Sequence, residues 1–396
     1  AMLAAFSDLG EVYEQSGATD KSIDALEAAQ TLDPENRERA EKLSALYATD
    51  PERYLDKAVA AQGVLLKQNP YRADSYKALR RLYTETRHAD SAWCLCQALT
   101  LLKLAEPDEE RFFKRMRSDT AAMAQAALTD DDWLNLLTHQ DVDPLLTAVF
   151  ALIEPAVAVK RGQALGELGY DETHVIDVST HPAPVCQSLY YAAGVLGVPL
   201  PTIVENRGDR GGLGFVVARE PVISLGRTAL LADVPLRPAA FIAARQLAYV
   251  RPGSYLRHVL ESGTALKSWL FAAIKLTAPH FPVAAELEGA VAEAMRALDT
   301  GIQGPARDQL TRVVAKLLQS GTALDLKRWV SGLDLTADRA GFLLTHDLET
   351  ATTVIRASDE ASSAVSHEDR FQELVLFSVS PAYFTLRERL GITVDA

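Results

Sequence analysis

Two aspartates, Asp334 and Asp338, stand four residues apart in "WVSGLDLTADRAGFLL", and Arg245, Gln246 and Tyr249 share the stretch "FIAARQLAYV". Both stretches have the apolar spacing of helices that enter a core. Carboxylates one helical turn apart lie on one face. They suit a guanidinium, which presents its donors as a rigid fork. Arg245 is therefore expected to form a buried pair with Asp334 or Asp338; the alternative is that Arg245 and Arg339 make only surface salt bridges. Arg245 offers no lone pair and stays protonated. Gln246 cannot take a proton from a bound water, as a general base must. The chemistry these residues support is charge pairing, with no acid–base step.

The other reactive side chains give weaker signals. His174, His181, His258, His280, His346 and His367 contain no pair at i, i+4, so none is expected to hold a metal. Cys186 follows His181 by five residues across a proline-containing turn, which does not make a catalytic pair. Cys94 and Cys96 form a C-x-C without a second ligand pair and read as small buried thiols in a reducing, cytoplasmic setting. The glycine-rich "NRGDRGGLGFVV" lacks the Gly-Lys-Ser/Thr ending of a phosphate loop and precedes a strand where a helix would be wanted. Its Arg-Gly-Asp tripeptide reads as turn chemistry, and the strand beside it could accept an extended peptide along its edge. No cofactor and no metal are expected.

These residues sit in a chain of 396 residues with 48% apolar and 23% charged content, enough for two or three domains. The formal net charge of -13 argues against general nucleic-acid binding, which needs a basic surface. The strongest apolar stretch, "SWLFAAIKL", is interrupted by Lys275 and is too short for a membrane span, which needs roughly 18 residues or more. No signal peptide is visible at the start.

Pro34, Pro70 and Pro107 recur in matching contexts, 36 and 37 residues apart, with helical patterns between them. A fixed period of this size signals stacked helical hairpins. The first unit resembles a tetratricopeptide repeat: Phe6, Leu9, Gly10 and Tyr13 fall at the spacing of its first helix, and Leu26, Ala29 and Pro34 at that of its second. The second unit keeps Ala58 and Pro70, with its first helix slipped by a couple of residues; the third keeps little beyond the period. The resemblance implies an array over residues 1–118 that binds a protein or peptide partner. Phe112 and Phe113 are expected to turn inward. Residues 119–144 then read as a linker with a short helix that buries Trp133, Leu134, Leu136 and Leu137.

From residue 145 to 396 the texture is α+β. A long apolar helix, the β-rich run "THVIDVS" and a second helix precede "TIVEN", "GLGFVVA" and "EPVISLG", which read as a small antiparallel sheet. The rest is helical. This order of elements, with "TADRAG" as its most specific part, resembles the His-Glu-x-x-His zinc metallopeptidases that include the CAAX prenyl endopeptidases and their soluble bacterial relatives. The likeness covers roughly residues 145–350. It implies a zincin-like fold in which the first zinc-binding His falls on Arg245, the general-base Glu on Gln246 and the second His on Tyr249. The third-ligand Glu falls on Asp334 and the Asp after it on Asp338. Every position that would carry the chemistry is replaced. The expectation is a mainly α, non-catalytic scaffold or adaptor: a repeat array joined to a degenerate metallopeptidase-like domain whose groove is kept for recognition or structure. The alternative is an active zinc-dependent or otherwise unconventional peptidase using non-standard residues.

Overall fold

A computed structural model describes residues 1–117, 123–209, 211–321 and 324–394. Residues 118–122, at the start of the expected linker, and Arg210 of the glycine loop lie outside these. The chain is mainly helical with one three-stranded sheet. It divides into two compact units. One comprises Ala1–Asp119 with Gln372–Glu388 and Ile392–Ala396; the other comprises Thr120–Phe371 with Arg389–Gly391.

The first unit opens with three helical hairpins: α1 (Met2–Gln15) with α2 (Thr19–Leu32), α3 (Arg37–Tyr47) with α4 (Pro51–Gln68), and α5 (Ala73–Glu85) with α6 (Ala89–Leu101). Helix α7 (Pro107–Met116) follows. Starts are fixed locally. Asn36 accepts the Arg39 amide and Asp50 the Arg53 amide, while Glu106 and Glu109 form a reciprocal capping box ahead of α7. Gly10 lets α1 and α2 close, since a Cβ there would lie 2.7 Å from Leu26. The first helices carry a repeat of their own beside that of the prolines. Leu9, Leu43 and Leu79 occupy equivalent positions on α1, α3 and α5, spaced 34 and 36 residues apart, and Tyr13, Tyr47 and Tyr83 follow each of them by four. Against the prolines, the first helix of the second unit is set two residues earlier than that of the first, and that of the third three residues earlier, so the positions recur with the slip the sequence suggests. Leu43, Tyr47 and Leu82 pack with Ile23, Leu26, Ala58 and Ala61 in one cluster. Phe113 is buried beneath Trp93, while Phe112 is only half-buried.

Helix α6 is buried from Ser91 through Leu99, with no solvated face. The chain's last helix, Pro381–Leu390, supplies part of the cover: Phe384 meets Tyr83 edge-on at 5.3 Å and Arg387 lies over Trp93.

The second unit is built around the helix Leu326–Thr345, which is buried on nearly every side from Gly332 onward. It packs on the helix Leu236–Ala248, with Gly341 facing Phe241 and Asp338 facing Arg245. A Cβ on Gly341 would lie 2.8 Å from the Phe241 ring and 2.9 Å from its carbonyl oxygen. Gly341→Val should thus cost about 1–3 kcal/mol through overpacking. Thermal denaturation reads this directly, and an unchanged Tm would contradict the close approach.

Three strands, β1 (Thr202–Glu205), β2 (Leu213–Val216) and β3 (Val222–Leu225), pair in the order β1-β3-β2. The sheet is mixed, not antiparallel: β1 and β3 are parallel, β2 and β3 antiparallel. The glycine loop between β1 and β2 holds them apart, and β3 fills the gap. Asn206 and Asp209 fold that loop by accepting the Gly208 and Gly211 amides, so the Arg-Gly-Asp stretch is turn chemistry. The run "THVIDVS" forms no strand beyond an isolated bridge at Val175, because Asp177 accepts the Ser179 amide and hydroxyl and turns the chain. In the linker, Trp133 and Leu137 are buried as expected, but Leu134 is 63% exposed. The Trp133 indole donates to the Leu196 carbonyl at 2.8 Å, and that anchor rotates Leu134 outward.

Among the described residues no helix is long and apolar enough to cross a membrane.

Candidate functional site: a buried arginine–aspartate cluster

The two central helices bring Arg245 to Asp338. The Arg245 Nε donates to Asp338 Oδ1 at 2.8 Å, and its Nη2 donates to the Ser362 carbonyl at 3.3 Å. Asp338 is fully buried and holds a second guanidinium. Arg370 Nε donates to Oδ2 at 2.7 Å and Nη2 to Oδ1 at 2.8 Å, a two-pronged contact. Arg370 also donates through Nη1 to the Ser358 hydroxyl.

Asp334, one turn earlier and also fully buried, does not meet Arg245 directly. Its Oδ1 accepts the Tyr249 hydroxyl at 2.7 Å. Its Oδ2 accepts the Ala364 amide at 2.6 Å, the Ser363 hydroxyl at 3.2 Å and Arg257 Nη2 at 3.4 Å. The cluster therefore holds three guanidinium groups around two carboxylates. Burial alone would lower the Arg245 pKa. The carboxylates of Asp338 and Asp334 outweigh it and hold the pKa above its ordinary value. Burial pushes the Tyr249 hydroxyl well above its own, so it acts as a neutral donor to Asp334. Gln246 is buried on the same helix.

His258 closes one side. Its ring stands 4.4 Å from the Tyr249 ring and 4.5 Å from that of Phe215 on β2, and its Nε2 has no partner. Burial, with Arg257 and Arg245 adding to it, lowers its pKa to about 3. The folded chain thus excludes a proton that the unfolded chain binds below about 6.5. Stability from this site is complete above that value and falls as pH drops toward 3. His258→Phe should flatten this part of the Tm–pH curve. A parallel decline in parent and variant would contradict the assignment.

The remaining candidates lie elsewhere. Arg339 donates to the carbonyls of Leu137 and Thr138. His346 ends the Leu326–Thr345 helix in a left-handed conformation, and Asp347 caps the next helix and pairs with Arg237 at 3.2 Å. Cys186 is buried, which raises its thiol to about 11, the reverse of an activated nucleophile. His181 accepts the Ala183 amide. Burial likewise raises the Cys94 thiol, and that of Cys96 to about 11.

A metallopeptidase site would need free lone pairs at these positions, and the residues present do not fit a zinc ion. Asp334 spends its oxygens on two hydroxyls, an amide and a guanidinium; Asp338 spends both on arginines. Among the described residues no three His, Cys, Asp or Glu side chains converge in a way that could hold a metal.

Arg257, Arg370 and the Ser362–Ala364 turn belong to the site but are absent from the sequence expectation. Arg370 had a readable signal. It shares a helical face with Leu374 and Phe377, both buried, so a charge stands on the apolar stripe of "HEDRFQELVLF". The turn had none.

No known protein family, curated protein or solved structure matches the chain significantly.

Proposed function

We propose that the chain is a non-catalytic protein-binding scaffold, with a tetratricopeptide-type array and a metallopeptidase-like domain whose metal chemistry has been replaced by charge pairing. The observation that carries this reading is the two-arginine clasp on Asp338. Arg245 stands where the resemblance puts the first zinc-binding histidine, and its guanidinium supplies fixed positive charge next to the buried carboxylate of Asp338 without any open coordination position. Tyr249, at the position of the second histidine, uses its hydroxyl to satisfy Asp334. Both replacements give buried carboxylates further donors: Arg245 joins Arg370 on Asp338, and the Tyr249 hydroxyl joins Arg257 on Asp334. A working hydrolase needs a poised base and an activated nucleophile. The buried thiols and the neutral, apolar-packed His258 offer neither.

The stacked hairpins support the scaffold part, because such arrays present extended surfaces to partners. The test is hydrolysis of a mixed peptide library by the intact chain, with and without a chelator. The expected result is no cleavage above that of an Asp338→Asn control. Cleavage that the chelator abolishes would overturn the reading in favour of an unconventional zinc-dependent peptidase.

A further inference from the structure

The charges of the buried cluster do not balance. Three guanidiniums, of Arg245, Arg257 and Arg370, meet two carboxylates, of Asp334 and Asp338, and no other carboxylate pairs with these arginines among the described residues. Tyr249 and His258 add no charge near neutral pH, because burial keeps the phenol protonated and the imidazole unprotonated. One positive charge is left over. A guanidinium stays protonated, so the imbalance cannot be relieved by losing a proton.

The three arginines are also used unequally. Arg370 commits Nε, Nη1 and Nη2 to Asp338 and Ser358. Arg245 commits Nε to Asp338 and Nη2 to the Ser362 carbonyl. The Arg257 guanidinium makes a single contact, from Nη2 to Asp334 Oδ2 at 3.4 Å, and its Nε is buried without a partner. That same oxygen accepts the Ala364 amide at 2.6 Å and the Ser363 hydroxyl at 3.2 Å, so Arg257 is the most distant of its three donors. The Ser362 hydroxyl, in the turn that supplies those two donors, is likewise buried without a partner. The side chains of Arg257 and Arg245 are 18% and 14% exposed, against 1% for Arg370. The unbalanced charge therefore lies at the side of the cluster that solvent reaches. A charge so placed attracts a counter-ion more strongly than one in open water, since the surrounding dielectric is lower.

We propose that this side of the cluster is a carboxylate-binding site, with the unused donors of Arg257 gripping the ligand and the Ser362 hydroxyl beside them. A carboxylate fits in charge, because one negative unit balances the cluster. It fits in shape, because its two oxygens match the guanidinium fork. A phosphate dianion would leave the site with a net negative charge. The inference rests on the geometry of the cluster and stands whether or not the helical array binds a partner.

The experiment titrates the full chain, labelled with 15N-arginine, with sodium acetate replacing sodium chloride at constant ionic strength. The Arg257 Nε–H signal should shift and saturate, while that of Arg251, paired with Asp130, should not. Arg257→Gln should bind acetate about tenfold more weakly or worse, and should lose the acetate-dependent rise in Tm. Alanine tripeptides separate the two sources of a carboxylate. Tighter binding of the free-ended peptide than of acetate assigns the site to a chain terminus; equal or weaker binding assigns it to a small free acid. The proposal is overturned if Arg257 shows no saturable shift, if Arg257→Gln keeps the rise in Tm, or if a C-terminally amidated tripeptide binds as well as the free-ended one.

Discussion

Asp338→Ala is expected to destabilise the second unit by about 3–5 kcal/mol, because it strips the counter-charge from two buried arginines at once. Arg370 is 1% exposed in its side chain and Arg245 14%, so water can rescue the second far better than the first. The order of loss should follow: Asp338→Ala greatest, Arg370→Ala next, Arg245→Ala least, since Arg370 alone still grips both oxygens of Asp338. Breaking one partner costs more than removing the whole cluster. The combination Arg245→Met, Asp338→Leu and Arg370→Met should therefore melt above Asp338→Ala. Chemical denaturation of the full chain, followed by tryptophan fluorescence of Trp329, reads these differences. If Arg245→Ala left the Tm unaltered, the buried pairing would lose its energetic role.

The second large effect is expected at Arg387. This side chain is fully buried, forks onto Asp90 with two contacts of 2.8 Å, and donates to the Ile392 carbonyl at 2.9 Å. The Val394 amide shares Asp90 at 2.8 Å, and the guanidinium lies 5.1 Å from the Trp93 ring centre. The chain's C-terminal segment is thereby fastened to α6. Arg387→Ala leaves Asp90 without its charge partner and opens a void over Trp93; a loss of about 3–5 kcal/mol from the first unit is expected. Arg387→Lys should recover only a minor part, since an ammonium cannot fork onto both oxygens. Hydrogen exchange along α6 is the measurement: its amides should lose most of their protection in Arg387→Ala. Retained protection would mean that the C-terminal segment contributes little to α6.

How far the sequence shows these features depends on whether the signal is local. The hairpins are legible because their prolines recur at nearly constant spacing, with the series Leu9, Leu43 and Leu79 running beside them. Helices with caps and short turns, such as that beginning at Pro144 after Asp143, are written in four or five residues. The cover over α6 comes from almost 300 residues away, and its only local sign is that "SAWCLCQAL" has no polar face. The sheet's parallel pair depends on which strand enters the gap left by the glycine loop, a choice that strand propensity does not encode.

The site was half-readable for the same reason. Asp334 and Asp338 stand in a helix with too many apolar neighbours to reach solvent, so partners were demanded, and Arg245 was the cation on the other apolar helix. Between the two carboxylates, spacing could not choose. The structure gives Arg245 to Asp338 and Tyr249 to Asp334. Arg257 enters from a segment whose own pattern resembles ordinary solvated charge, whereas Arg370 shows itself only as a charge on an apolar stripe, with no sign of its partner.

The proposal that charge pairing stands in place of a metal is tested most directly by the zinc content of the purified full chain after equilibration with excess zinc and removal of unbound ion. Far less than one zinc per chain is expected, with no difference between the parent and Asp334→Ala. One tightly held zinc per chain that is lost in Asp334→Ala would contradict it.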